Sequence, residues 1–130
     1  MKKIGLVGGT GPESTVMFYK KLNSEIDLLT NEKHMPDIVI ESVDFRRAWD
    51  YVQNGQTGEL TDYISEKVNC LVSSEAEVIS LTAVTMHMVY DDIVAKTGVS
   101  LVSIPKTVCE KIVSGGIKKV GLFGTIVTME

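Results

Sequence analysis

Two hydrophobic periods alternate strictly along this chain, and that alternation constrains its fold more than any other feature. Short runs rich in β-branched residues recur at Lys3–Val7, Asp37–Val43, Glu77–Leu81, Ser100–Ile104 and Lys119–Phe123, each ending near Gly, Pro, Ser or Thr. Their apolar residues are continuous rather than alternating, the pattern of strands buried on both faces of a parallel sheet. Between the runs the spacing becomes helical: Tyr19, Leu22, Ile26 and Leu29; Leu60, Ile64, Val68 and Leu71; Met86, Val89, Tyr90, Ile93 and Val94; Val108, Ile112 and Val113. Thr97-Gly98 and Ser114–Gly116 read as helix C-caps. The resulting βαβαβαβαβ order predicts an α/β fold, a three-layer αβα domain with an open parallel sheet of four or five strands joined by right-handed crossovers. Residues 1–130 read as one such domain, without internal repeat or low-complexity segment.

Composition then excludes several classes of function. At 130 residues and 44% hydrophobic content the chain can bury a real core. Its formal charge of -4, with no Lys/Arg run interleaved with aromatics, argues against nucleic acid as a partner. No apolar run approaches the roughly 20 residues that span a bilayer, and glycines interrupt "MKKIGLVGG" too early for a signal peptide. No membrane partner and a cytoplasmic location are therefore expected. Cys70 and Cys109 lack C-x-x-C or His-rich neighbours, so no metal site is indicated, and both are expected to be buried thiols on apolar helix faces.

On open parallel sheets, ligands bind beyond the carboxyl ends of the strands, where the strand order reverses. "GGTGPEST", "ESVDFRR", "LTAVTMH" and "LFGTIVTME" are the strand ends to inspect, with Gln53–Gly58 as a loop placed to lie over them. In the first, glycines leading into a helix offer backbone N–H groups to an anion. A phosphate-binding P-loop fails there, because no lysine occurs between Lys3 and Lys20. A dinucleotide fingerprint starting at Gly9 and Gly11 meets Ser14 where its third glycine belongs, although Glu41 or Asp44 could still bind a ribose. A Rossmann-like NAD-binding oxidoreductase module thus stays open as an alternative. Equally, Gly9 and Gly11 could simply shape a turn that Pro12, Glu13 and Ser14 convert into a helix.

The opening "KKIGLVGGTGPESTVMFYKKLN", "SVDF" after the second strand, T-M-H after the third and the final "KKVGLFGTIVTME" together resemble the aspartate/glutamate racemase family. The resemblance covers the whole chain and corresponds to the N-terminal half of the family's two-domain architecture. It implies amino-acid racemisation without a cofactor: two similar α/β halves present one cysteine each to opposite faces of the substrate's α-carbon. Inversion through a planar carbanion needs an acid and a base on opposite sides, each with a pKa near ambient pH. A thiol reaches that range with modest electrostatic help. Backbone N–H groups and hydroxyls stabilise the carbanion and the carboxylates in place of a pyridoxal ring.

Against that pattern, this chain departs at the reactive position. Aligning Thr85 and His87 with the T and H of the family's C-N-T-x-H segment puts Ala83 at the cysteine and Val84 at the asparagine. Thr82, one residue away, is a weak substitute, because an aliphatic hydroxyl needs an activating base. The family's second cysteine stands in a G-C-T-E segment, which does not occur within these residues. Neither Cys70 nor Cys109 matches either position, so the chain by itself is expected to be inactive or incomplete as a racemase. His87 is expected to start a helix or pack.

The resemblance further implies substrate contacts at Gly9 and Thr10 after the first strand, at Val84 and Thr85 after the third, and at Thr125 and Thr128 after the last. Arg46 and Arg47 stand near where relatives place a cation for a side-chain carboxylate. The implied ligand is a small amino acid or dicarboxylate. A non-catalytic carboxylate-binding relative is the second alternative, and a homo-oligomer is expected from the apolar surface that a second half would cover.

Overall fold

A computed structural model describes residues 1–129. Its elements are β1 (Ile4–Gly8), α1 (Pro12–Leu29), β2 (Ile38–Ser42), α2 (Phe45–Gln53), α3 (Thr57–Ser73), β3 (Val78–Leu81), a 3-10 segment (Val84–Val89), α4 (Tyr90–Thr97), β4 (Leu101–Val102), α5 (Ile104–Ser114) and α6 (Ile126–Met129). The four strands form one parallel sheet in the order β2-β1-β3-β4. An α/β fold with helices flanking a parallel sheet is therefore present, as the alternation predicted.

Register explains which side chains meet which helices. Ile4 pairs with Val78, Leu6 with Ser80 and Ser80 with Val102, so these residues share one face with α1 and α5. Val7, Ile79, Leu81 and Leu101 turn to the opposite face, where Leu60, Ile64, Val68 and Leu71 of α3 and Ile93 of α4 complete the main core. Burying each of these aliphatic side chains is worth roughly 1.5–3 kcal/mol. The first face is covered far less. Neither α1 nor α5 contains a buried residue, and an apolar groove runs between them over Leu6 and Val102.

Three expectations need correction. Lys119–Phe123 forms no strand: Val120 and Leu122 are exposed and Phe123 is 94% exposed. A β-branched run becomes a strand only when an edge supplies its ladder bonds, and β4 offers two residues of edge. Residues 53–58 are not one loop, because Gln53 closes α2 and α3 begins at Thr57. Asp44 accounts for the unpredicted α2, as its carboxylate accepts the Arg46 and Arg47 N–H groups and caps the helix. Finally, Cys109 is exposed and Cys70 only half-buried, because α5 lies on the open face and Cys70 at the rim of α3. The expected caps are in place, with Gly98 ending α4 and Gly115 ending α5. No helix among the described residues is long and apolar enough to cross a membrane.

Candidate functional site

From β1 the chain crosses to β2 on one side and then returns past β1 to β3 on the other, so the strand order reverses between β1 and β3. A crevice opens beyond the carboxyl ends at such a point. Val7 pairs with Leu81, and the Thr82 N–H donates to the Val7 carbonyl at 3.0 Å. Past that bond the β1 end turns toward β2, with Gly9 packed against Ser42 and Val43, and meets the β3 end through Thr15 and Thr82.

Just beyond the two strand ends runs a relay of two hydroxyls. The Gly9 N–H donates to Thr15 Oγ1 at 3.0 Å, Thr15 Oγ1 lies 3.2 Å from Thr82 Oγ1, and the Thr82 hydroxyl donates to the Val7 carbonyl at 3.2 Å. Donor and acceptor balance requires Thr15 to donate to Thr82. Thr82 is 3% exposed, so its hydroxyl is committed to the fold rather than presented to a substrate. Gly9 is required where it stands: φ is +88°, and a Cβ would come within 2.5 Å of Ser42 Oγ.

Of the residues that the resemblance implies, three meet beyond the end of β3. Ala83 is half-buried in extended backbone, and Val84 beside it is exposed. The structure brings Thr85, Thr125 and Thr128 together. Their hydroxyl oxygens are separated by 3.3 Å (Thr85 to Thr125), 3.4 Å (Thr85 to Thr128) and 3.1 Å (Thr125 to Thr128). The last strand expected from sequence is absent, yet α6 still places Thr128 against the 3-10 segment, while Thr125 and Ile126 adjoin Trp49 and Val52 of α2. Three mutually bonded hydroxyls can rotate to donate to one incoming carboxylate.

The Arg46–Arg47 pair divides in two. Arg46 is exposed on the first turn of α2. The Arg47 Nε donates to the Tyr51 hydroxyl at 3.0 Å, and its guanidinium lies 4.4 Å from the Tyr63 ring centroid. That bond to Tyr51 is the main cause holding the Arg47 pKa above its ordinary value. Tyr63 in turn accepts the Asp44 N–H at 2.8 Å, so the end of β2, the cap of α2 and the arginine share one anchor. Tyr63 and Thr15 are the residues sequence reasoning missed. Tyr63 lies on the apolar face of α3 and reads as core, and nothing local couples Thr15 to Thr82, 67 positions away.

His87 stacks on Tyr90, with ring centroids 5.7 Å apart and planes 3° from parallel. Burial lowers its pKa, partly opposed by the Ala83 and Val84 carbonyls. It does more than start a helix, since both ring nitrogens have backbone partners.

A parallel α/β sheet with hydroxyls gathered beyond its switch point is a framework shared by many activities, so the fold by itself selects none of them. The comparisons narrow the choice. Residues 7–130 match the family model for Asp/Glu/hydantoin racemases. A crystal structure from Yersinia pestis, assigned as an Asp/Glu racemase, is 35% identical with a TM-score of 0.92 over 100% of this chain. An aspartate racemase homologue from Pyrococcus horikoshii is 38% identical with a TM-score of 0.81 over 99% of this chain. The chain belongs to the Asp/Glu/hydantoin racemase family. It spans 56% of the length of each of those two solved proteins.

Proposed function

We propose that this chain binds the carboxylate of a small amino acid or dicarboxylate at the β1/β3 crevice and does not by itself invert an α-carbon. One observation carries the reading: the Thr85, Thr125 and Thr128 hydroxyls converge just beyond Ala83, whose methyl group can neither accept nor return a proton. Thr85 and Thr128 donate to the ligand carboxylate, with the Gly9–Thr10 turn closing the opposite side. Arg46 is free to swing toward a second carboxylate, while Arg47 stays on its tyrosines. Thr82 does not replace the missing thiol, because its proton is held by the Val7 carbonyl and, among the described residues, its one side-chain partner is the Thr15 hydroxyl, which is no base. The residues at this site need no organic cofactor to hold a carboxylate.

Incubation with L-aspartate in heavy water, followed by proton NMR and calorimetry, tests both halves of the reading. The expected result is saturable heat of binding with the α-proton of L-aspartate retained. Deuterated D-aspartate overturns the inactive half, and absence of binding by aspartate, glutamate and malonate overturns the ligand class.

A further inference from the structure

Both ring nitrogens of His87 face backbone groups of fixed polarity. The Ile104 N–H lies 3.1 Å from Nε2 and can only donate, so Nε2 carries no proton. The Ala83 carbonyl lies 3.1 Å from Nδ1 and can only accept, so the proton of the neutral ring sits on Nδ1. These two partners belong to different strand ends: Ala83 follows β3, and Ile104 begins α5 directly after β4.

The join matters because the sheet itself does little here. β4 pairs with β3 only through Ile79–Leu101 and Ser80–Val102. Ile104 also opens a helix, where N–H groups have no partner within the helix. Ser103 caps Lys106, leaving the Ile104 N–H to His87. Tyr90, stacked on the imidazole, donates its hydroxyl to the Leu101 carbonyl at 2.6 Å and locks the ring from the other side. Thr85 lies between Ala83 and His87 on the 3-10 segment, so whatever holds the ends of that segment places the Thr85 hydroxyl against Thr125 and Thr128.

We propose that His87 is a positioning residue: as the neutral Nδ1–H imidazole it clamps the segment after β3 to the start of α5, and so sets the place of the Thr85 hydroxyl. The consequence for ligand affinity rests on the carboxylate reading above; the clamp itself does not.

The test uses uniformly ¹⁵N-labelled wild type with His87→Phe, His87→Gln and His87→Asn. Phenylalanine keeps the stack on Tyr90 and loses both hydrogen bonds. Glutamine reaches the Nε2 position and can accept from Ile104, whereas asparagine reaches only the Nδ1 position. The expected wild-type imidazole spectrum is that of the Nδ1–H tautomer at neutral pH. The Ile104 amide is expected to exchange about tenfold faster in His87→Phe and His87→Asn and near the wild-type rate in His87→Gln, with β1 and β3 amides unchanged. An Nε2–H tautomer, or equal Ile104 exchange in wild type and His87→Phe, overturns the clamp, and the tautomer decides alone if His87→Phe does not fold. L-aspartate affinity is expected to fall in His87→Phe and recover in His87→Gln. If wild type does not bind aspartate while the tautomer and exchange results hold, the carboxylate reading fails and the clamp stands. If wild type and His87→Phe bind equally, the link from His87 to Thr85 fails.

Discussion

Thr15 and Thr82 meet hydroxyl to hydroxyl at 3.2 Å across the β1/β3 switch point, joining the first helix to the end of the third strand. The contact is the middle link of a relay running from the Gly9 N–H to the Val7 carbonyl. Thr82→Val keeps the shape and deletes the link, leaving the Thr15 hydroxyl without an acceptor in a part-buried place. The expected cost is about 1–3 kcal/mol, read from the urea midpoint, with Thr82→Ser recovering most of it. Aspartate affinity per folded molecule stays at the wild-type value. A loss of affinity with unchanged stability means that Thr82 faces the ligand after all.

His87 gives the fold a pH dependence whose sign is fixed by its environment. Burial keeps its folded-state pKa below the unfolded value of 6.5. The unfolded chain therefore binds more protons as pH falls below 6.5, and stability drops with it. The contribution is complete above the unfolded value, is lost as pH falls toward the folded value, and stays constant below that. Wild type should lose stability relative to His87→Gln when urea midpoints at pH 7.5 and 5.5 are compared. A parallel fall in the two proteins refutes the assignment, because carboxylates titrate equally in both.

Removing one hydroxyl from the Thr85, Thr125 and Thr128 cluster should weaken carboxylate binding more than it weakens the fold. Thr128 is part-exposed on a four-residue helix, so Thr128→Val is expected to shift the melting temperature little. Each hydrogen bond to a charged ligand group is worth roughly 1.5–3 kcal/mol, so aspartate affinity should fall about 10- to 100-fold. Unchanged calorimetric affinity in both Thr128→Val and Thr85→Val removes the cluster from the site.

NAD should leave the melting temperature where it is. The Ser14 N–H turns back to the Gly11 carbonyl at 3.1 Å and the Ser14 hydroxyl donates to the same oxygen at 2.8 Å. Pro12 has no N–H to offer, and the Gly9 N–H is taken by Thr15. The amides that would cradle a pyrophosphate are thus largely used within the turn. A ligand at ~100 times its dissociation constant adds about 2.7 kcal/mol, an effect thermal denaturation reads easily. A clear rise with millimolar NAD restores the dinucleotide reading.

Which parts of this molecule can be read from its sequence follows from how far apart the interacting residues lie. β1 and β3 announce themselves because they lie in the middle of the sheet and their side chains are buried, and α3 because Leu60, Ile64, Val68 and Leu71 all point into one core. α2 is harder to read: it buries only Ala48, and its cap Asp44 is equally at home in a loop. Lys119–Phe123 has the composition of a strand, but β4, the strand before it in the chain, is only two residues long, and composition cannot report the length of an edge. At the site, the meeting of Thr85 with Thr125 spans 40 positions, so no local period encodes it. Family resemblance named both residues, whereas the His87 clamp and the Thr15–Thr82 contact became visible only with the fold.

The open face between α1 and α5 leads to a prediction about association. Phe18 and Leu22 of α1, Leu6 and Val102 of the sheet, and Ile104 and Val108 of α5 line one apolar groove, and Val108 is 50% exposed. Monomeric proteins seldom leave contiguous apolar patches much above a few hundred Å² open to water. Two copies that meet groove to groove bury the patch on both, as a two-fold interface requires. The chain is expected to sediment as a dimer at about 0.1 mM, where a micromolar interface is nearly saturated. Val108→Asp sets a charge in the groove and should return a monomer with its aspartate binding intact. A wild-type monomer at that concentration overturns the expectation, and a Val108→Asp dimer moves the interface to another face.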